Sequence, residues 1–413
     1  MAITSLINPP NNFSAHDDLW HIATSDNFNN TDYRYVFDVY VGGSQLIRAK
    51  IYPNPANGKG YFNVSNVVSN TMKFDWFNPN GNFISALPDS SGQIFQNYTI
   101  KVGEEYNGSV FTNLSTASIK VANCAPNLIG RQTQYSSSYL NENITQFLTT
   151  RDRTNAVGLD EDFFIGFCAK PGENISILVS TLSNSGITNT YTIGNINDNS
   201  FQGRRLAQLN IGPKAINKAY GSNIISSKTK QYLVVLKNED NNAKPDTIFL
   251  SIDCKPIFQS ANLHFLNNYG FFDTARFNLL SRLTMDIERK TYEQSDYRFN
   301  SGSVSFYNLN NDVYGNVDTY KMNESKINFG SKYQWTYKLT MDFPSDIDYN
   351  WLDELIMSPQ IYAELIINSD YWKDYYPISI KATNYEYSQY INNRLKAFEI
   401  EIDMNQKRKG FRR

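Results

Sequence analysis

The chain has 413 residues and a formal charge of −2, with 19% charged and 14% aromatic residues. This length is too great for one ordinary core and predicts two or three domains. The balanced charge argues against a global basic field that would recruit nucleic acid and against an acidic, disordered chain. Asn makes up roughly one residue in eight, far above ordinary usage. Abundant Tyr and Phe favour strands, and the high Asn content favours the loops that join them.

Three cysteines, Cys124, Cys168 and Cys254, lie far apart, and no CxxC or Cys/His spacing suggests a zinc site. They predict reduced, buried thiols in a protein made in a cytosol. The first residues show no basic segment followed by an apolar run, and no stretch approaches the roughly 18 apolar residues of a spanning helix. We therefore expect neither a secretion signal nor a membrane span.

Residues 1–125 predict an N-terminal β-sandwich. Tyr35 and Phe37 alternate with smaller or polar residues, and Gly42 and Gly43 then supply the positive-φ turn of a hairpin. Short strands continue to about residue 122, separated by turn residues, as in sandwiches and barrels.

Residues 126–255 predict a middle β domain that starts with an irregular loop, because the strand pattern weakens between 123 and about 154. Buried strands are expected in several short apolar segments. These segments are 163–167, 175–182, 232–236 and 248–252.

Residues 256–413 predict a C-terminal β domain with the sharpest alternation. Leu283, Met285 and Ile287 alternate with polar residues, which predicts a strand with one dry and one wet face. The same pattern occurs in 333–343 and 398–403. One short helix is predicted near 349–357, with Ser345 or Asp348 as its cap, an apolar stripe from Trp351 to Ile356 and a stop at Pro359. The predicted fold class is therefore all-β, with two or three antiparallel sandwich or barrel domains and one short helix.

Motifs for catalysis or metal binding are weak. His16, Asp17, Asp18 and His21 surround Trp20, but their spacing matches no zinc signature and favours a packed Trp with polar neighbours. The acidic run 160–162 indicates a turn before a buried strand rather than a calcium loop or a catalytic carboxylate pair. The segment 308–312 lacks key positions of a calcium loop. Nucleophile-elbow, phosphate-loop and HExxH motifs do not occur. We expect no enzyme activity, no cofactor and no metal.

Two segments are candidates for contacts with partners. The basic tail 407–413 predicts either a solvated end or an arm for packaged DNA or an acidic groove on a neighbouring subunit. Clustered aromatic residues near 371–376 favour a subunit interface, because such rings bury area and keep a hydrogen-bonding tip, or sugar stacking. The candidate interface or DNA-contacting residues are Lys407, Arg408, Lys409, Arg412, Arg413, Trp372, Tyr375 and Tyr376.

Several segments together resemble virion proteins of tailed phages that infect Bacteroidota, including the crAss-like phages. The resemblance covers about the first 70 and the last 160 residues and implies a structural protein of the tail or neck, present in several copies as a ring or tail hub. It supplies no active-site residue. The segments are 13–21 (FSAHDDLWH), 33–41 (YRYVFDVYV), 52–55 (YPNP), 60–65 (GYFNVS), 265–274 (FLNNYGFFDT), 355–362 (LIMSPQIY) and 376–380 (YPISI).

Two main functional hypotheses follow from the sequence. The first is a structural virion protein, made in the host bacterial cytoplasm, that contacts copies of itself in a ring, neighbouring tail or neck proteins and packaged DNA. The alternative is a phage receptor-binding or carbohydrate-binding β protein whose aromatic clusters stack on sugars. A host surface β protein is a third possibility, which the missing secretion signal disfavours.

Overall fold

The structure is a computed structural model of the chain, and it forms 27 strands and three short helices in the residues that it describes. The predicted all-β fold class is confirmed. The described ranges are 3–11, 13–73, 83–86, 95–125, 145–169, 172–186, 188–196, 206–240, 245–253, 260–279, 281–293, 298–299, 317–318, 326–341, 346–367, 372–381, 398–404 and 408–412.

The N-terminal part builds two sheets around one core. The sheets have the strand orders β1-β3-β6 and β2-β9-β8-β4-β5, and Tyr35, Phe37 and Val39 point into the core between them. The predicted hairpin is present, with Gly42 and Gly43 at φ 58° and 84°. The elements are β1 (Ile3–Ile7), β2 (Phe13–Ser14), β3 (Trp20–Ser25), β4 (Arg34–Val41), β5 (Ser44–Ile51), β6 (Gly60–Asn63), α1 (Ser65–Ser69), β7 (Ile84–Ala86), β8 (Phe95–Tyr106) and β9 (Ser109–Ala122).

The middle part also packs two sheets face to face. Their strand orders are β10-β12-β15-β7 and β11-β17-β16-β13-β14. Ile165 and Leu209 of the first sheet share one buried core with Val179 and Val234 of the second. The elements are β10 (Gln146–Leu148), β11 (Thr154–Gly158), β12 (Phe164–Cys168), β13 (Ile175–Ser183), β14 (Thr188–Ile196), β15 (Leu206–Asn210), α2 (Pro213–Tyr220), β16 (Thr229–Asn238) and β17 (Asp246–Asp253).

The C-terminal part contains one large sheet with a helix on one face, and a separate sheet of two short strands, β21 and β22. The strand order of the large sheet is β19-β18-β24-β25-β26-β23-β20, and β27 also pairs with β23. Trp351, Leu352 and Leu355 of helix α3 are fully buried against this sheet. The elements are β18 (Ala261–Leu266), β19 (Phe272–Phe277), β20 (Arg282–Glu293), β21 (Arg298–Phe299), β22 (Val317–Asp318), β23 (Lys326–Met341), α3 (Asp346–Met357), β24 (Ile361–Ile367), β25 (Trp372–Ile380), β26 (Phe398–Met404) and β27 (Arg408–Arg412).

The structure adds details that the sequence pattern does not predict. Helices α1 and α2 are present in addition to α3, which begins at Asp346 rather than near 349. Strand β10 lies inside the stretch that is predicted to be an irregular loop. Two strand pairs, β2 with β9 and β11 with β17, run parallel instead of antiparallel. These pairs join strands distant in sequence, so no hairpin turn sets their direction.

A small apolar cluster joins all three parts of the chain. Phe95 and Cys124 come from the N-terminal part, Leu148 and Leu206 from the middle part, and Phe271 from the C-terminal part. All five side chains are buried. We call this cluster the three-way junction. Strand β7 also crosses between parts, because its sequence neighbours are N-terminal while it pairs with β15. The proposed boundaries, 1–125, 126–255 and 256–413, stay a prediction.

Candidate functional site

An exposed apolar surface of the C-terminal sheet lies on β20 and β23. Leu283, Met285 and Ile287 of β20 are 48%, 42% and 44% exposed. Strand register places them directly opposite Tyr337, Trp335 and Tyr333 of β23, so all six side chains lie on one face of the sheet. We call these six residues the β20 face. In the ranges that the structure describes, β20 is the last strand of its sheet, and no strand pairs with its outer edge.

The β20 face is the uncovered end of a core face. Further along β23, Leu339 and Met341 lie on the same side and are buried in the core beneath α3. Trp335 and Tyr337 pack at the margin of that core. The predicted alternation of β20 is therefore correct, but its dry face is exposed, because α3 covers only part of the sheet.

The opposite face of the same strands is polar. Lys381 Nζ lies 3.0 Å from Asp403 Oδ1 and 3.5 Å from Asp286 Oδ2. Hydrogen bonding to Asp403 raises the pKa of Lys381. The edge of this sheet therefore presents one apolar and one charged side, which is the composition expected of a surface that packs on one face only.

The two N-terminal histidines take part in hydrogen bonds within the chain. His21 is fully buried, and its ring nitrogens lie 2.8 Å from Asn8 Oδ1 and 2.8 Å from the Tyr98 hydroxyl. Burial lowers the pKa of His21 to about 4. His16 is exposed, with Nε2 2.9 Å from Asn123 Oδ1. The expectation of a packed Trp20 is wrong, since this side chain is 46% exposed and Leu19 and His21 fill the core positions beside it.

Residues 160–162 form a joint between the middle and C-terminal parts. The Glu161 carboxylate accepts a hydrogen bond from the Gly158 backbone amide at 2.8 Å and forms an ion pair with Arg276 Nε at 2.8 Å. Asp162 accepts hydrogen bonds from the Asn210 amide at 2.8 Å and from the Tyr375 hydroxyl at 2.5 Å. The acidic turn that the sequence predicts is therefore present, and it holds two sheets together.

A second joint is built around His264. Its Nδ1 lies 2.9 Å from Thr274 Oγ1 and its Nε2 lies 3.2 Å from Glu364 Oε2. Thr274 Oγ1 also accepts the Phe164 amide at 2.8 Å, which connects this group to the middle part. All these side chains are buried. Such an arrangement fixes the position of the sheets and satisfies buried polar groups.

The third joint centres on Asp273. Its Oδ2 accepts hydrogen bonds from Thr149 Oγ1 at 2.5 Å and from Trp351 Nε1 at 2.9 Å. Burial raises the pKa of Asp273. The Arg151 guanidinium stacks over Trp351 at 4.3 Å and over Phe163 at 4.5 Å. Arg151 and Asp273, both buried, thus connect helix α3 to the middle part.

A cavity of about 380 Å³ lies where the N-terminal and C-terminal parts meet. Its lining includes His16, Cys124, Glu354 and Met357. Burial raises the pKa of Glu354 to about 7, although its carboxylate accepts the Asn268 amide at 3.0 Å. Burial also raises the pKa of Cys124, so its thiol is not activated as a nucleophile.

A second cavity, about 570 Å³, lies beside helix α2. Lys214, Lys218 and Asp160 are among its lining residues. Its lining carries both signs of charge, with two lysines and one aspartate.

The aromatic side chains predicted to contact partners are only partly exposed to solvent where the structure describes them. Tyr375 and Tyr376 are half-buried, and Tyr375 uses its hydroxyl on Asp162 within the chain. Burial raises the pKa of Tyr375. Trp372 is the first residue of β25, where its backbone pairs with Ile367. The β20 face lies on the side of the strand that the alternation predicts to be dry, and its aliphatic side chains are exposed.

The basic tail is a strand in the part of it that the structure describes. Residues Arg408–Arg412 form β27, whose Arg408, Lys409 and Arg412 pair with Tyr333, Lys332 and Gly330 of β23. This pairing excludes a frayed end for these residues. Lys407 and Arg413 lie outside the described residues, as do Cys254 and the segment 308–312. Contact of the tail with DNA stays a prediction.

Within the described ranges, the chain holds neither a metal cluster nor a spanning helix. There, no group of three or more His, Cys, Asp and Glu side chains is placed to hold a metal ion. Likewise, none of the helices in these ranges combines the length and hydrophobicity required to span a bilayer.

Comparison with known proteins gives no family for this chain. No protein-family model and no curated protein matches it. Among solved structures, it is similar to the FN1-FN3 domains of chicken CNTN1, with 11% identity, a TM-score of 0.20 and coverage of 62% of this chain and 68% of the other. It is also similar to the D0-D1 domain of Intimin, with 9% identity, a TM-score of 0.15 and coverage of 60% and 96%. At these values neither similarity assigns a function.

Proposed function

We propose that this chain is a structural subunit of an oligomeric assembly, and specifically a ring or hub subunit in the tail or neck of a tailed phage. The β20 face supports the assembly role. Exposed aliphatic side chains next to half-buried aromatic ones, beside an open sheet edge, are typical of surfaces that another chain covers. The phage tail or neck is supported by the sequence resemblance alone.

The buried polar groups agree with a structural role. His21, His264, Glu161 and Asp162 each hold partners within the chain, and three joints fix the middle and C-terminal parts against each other. A subunit that must keep one shape in an assembly benefits from such connections, because they oppose movement between sheets.

The oligomeric state of the purified chain tests the assembly role. We expect sedimentation and negative-stain images to show a closed oligomer, alone or with a neighbouring tail protein. Mass spectrometry of purified virions from a phage that encodes the chain tests its location. A strict monomer that is absent from virions would contradict both parts.

The carbohydrate-binding alternative has weaker support. It relied on Trp372 and Tyr375 as stacking platforms, and the hydroxyl of Tyr375 is committed to Asp162. Glycan-array binding that Trp372→Ala abolishes, with the fold intact by circular dichroism, would favour this alternative over the structural subunit.

The basic strand β27 allows a separate test of DNA contact. Replacing Arg408, Lys409 and Arg412 by Gln keeps the backbone pairing with β23 and removes three positive charges. If the tail touches packaged DNA, affinity for duplex DNA should fall and its salt dependence should weaken. Unchanged binding would restrict the tail to its role in the sheet.

A further inference from the structure

We propose that the outer edge of β20 pairs with the β20 edge of a second copy of this chain, antiparallel about a twofold axis at Met285. This inference rests on the proposed role as an oligomeric subunit and names the surface and the partner. Edge strands with free backbone groups pair readily with another strand. A twofold contact uses the same surface on both copies, so it joins two chains and no more. Within a larger assembly, such a contact can join neighbouring subunits of one ring in pairs or join two rings to each other.

The apolar side chains favour a second copy as the partner. A twofold axis perpendicular to the sheet keeps the apolar side of both β20 strands on the same face. Leu283 then lies opposite the partner's Ile287, and Met285 lies opposite the partner's Met285. The joined sheet carries one continuous apolar surface made of two β20 faces, and directly opposite apolar side chains stabilise antiparallel pairs.

Together with the apolar pairs, the charges favour the register at Met285. With this centre, Arg282 lies opposite the partner's Glu288, and the twofold axis repeats this attraction on the other side. A twofold axis at Asp286 would place this carboxylate opposite the partner's Asp286. An axis at Ile287 would place Asp286 opposite the partner's Glu288, so both registers bring two carboxylates together. A bulge between Lys290 and Thr291 ends the regular register with β23, which confines pairing to the first part of β20.

Cysteine cross-linking tests the register. Met285→Cys places two thiols directly opposite each other, at a Cβ separation of about 4.5–5.5 Å that is close to disulfide geometry. Thr284→Cys is the matched control, because Thr284 lies opposite the partner's Asp286 and points to the other face. Under mild oxidation of the full chain, we expect a covalent dimer from Met285→Cys and only the wild-type background from Thr284→Cys. Equal yields from the two variants would overturn the register.

A charge exchange tests the pairing without new cysteines. Arg282→Glu and Glu288→Arg each turn two attractions into two repulsions, so each should raise the dissociation constant in sedimentation equilibrium by about tenfold. The double variant should restore the wild-type constant. Both side chains are exposed, so circular dichroism melting should stay unchanged in all variants. Equal dissociation constants in the wild type and both single variants would overturn the inference.

The outcomes separate this inference from the proposed function. A wild-type oligomer that neither the cysteines nor the charge exchange affects would leave the structural role standing and place the contact elsewhere. A wild-type chain that sediments as a monomer at its highest soluble concentration would contradict both.

Discussion

Individual polar residues connect segments of this chain that are distant in sequence. The Tyr375 hydroxyl reaches Asp162, 213 positions away, and His264 reaches Glu364, 100 positions away. Such partners are chosen by the folded topology, and local patterns carry no information about them. The local sequence therefore located the aromatic cluster around Tyr375, whereas the partner of its hydroxyl required the structure.

The buried His21 predicts a loss of stability in acid. Its pKa is about 4 in the folded chain, against an ordinary value near 6.5, so the unfolded chain binds more protons between these values. The free energy of unfolding should therefore fall as pH decreases through this window. The contribution of His21 reaches on the order of 2–3 kcal/mol by pH 4.5.

Urea denaturation at pH 7 and pH 4.5 measures this effect. His21→Gln keeps a neutral side chain that can bond Asn8 and Tyr98, and it removes the titrating group. The variant should lose less stability than the wild type on acidification. Identical losses in both proteins would show that His21 does not cause the acid sensitivity.

Replacement of Tyr375 distinguishes its two suggested roles. Tyr375→Phe removes the hydroxyl that donates to Asp162, so the free energy of unfolding should fall by about 1–2 kcal/mol. If Tyr375 instead serves mainly an interface between chains, its replacement should weaken oligomers and leave the stability of the single chain unchanged.

At the scale of elements, alternation located the strands well. Hairpin β4–β5, with Gly42 and Gly43 at its turn, and the apolar rows of β23 and β26 follow the predicted period. Helix α2 was missed although the signals were present. Pro213 stands in its first turn, and Gly221 ends it in the left-handed conformation. The helix spans only eight residues, too few for a clear apolar stripe.

The C-terminal glycine of α2 gives a prediction for this element. Gly221 has a φ of 82° with open space where a Cβ atom would lie, so Gly221→Ala adds backbone strain and no clash. The free energy of unfolding should fall by about 1 kcal/mol. Lys214→Ala, an exposed position in the same helix, is the control and should change stability by less than about 0.5 kcal/mol. Chemical denaturation compares the two variants.

The exposure of β20 shows the limit of periodicity. Alternating apolar residues predicted which side of the strand is apolar, and this was correct. Whether that side is covered depends on how far α3 extends over the sheet and on contacts with other chains, and the local sequence pattern carries neither. Periodicity therefore predicts the apolar side of β20 but not its exposure to solvent.

On the scale of the whole molecule, close backbone contacts hold the N-terminal and C-terminal parts together. The Ala125 amide donates to the Asn268 carbonyl at 2.8 Å. A side chain at Gly270, whose φ is 81°, would meet the Asn123 carbonyl oxygen at 2.3 Å. Only glycine suits this position, since both the backbone conformation and the space exclude a Cβ atom.

Gly270→Ala should therefore loosen this connection. We expect a fall of about 3 kcal/mol or more in the free energy of unfolding, from strain and steric clash together. Gly172→Ala is a matched control, because Gly172 has nearly the same φ, 80°, with nothing nearby. It should cost only about 1 kcal/mol. Equal falls in the free energy of unfolding for both variants would mean that the contact with Asn123 adds nothing to the backbone strain.

The three-way junction also sets an order of events during synthesis. Phe95 emerges from the ribosome long before Phe271, its neighbour in the finished cluster. At about 5–20 residues per second, this delay lasts on the order of ten seconds or more. During that time, apolar residues of the nascent chain remain in water without their final cover. Holding chaperones would be expected to engage the growing polypeptide in this interval and to leave once Phe271 arrives.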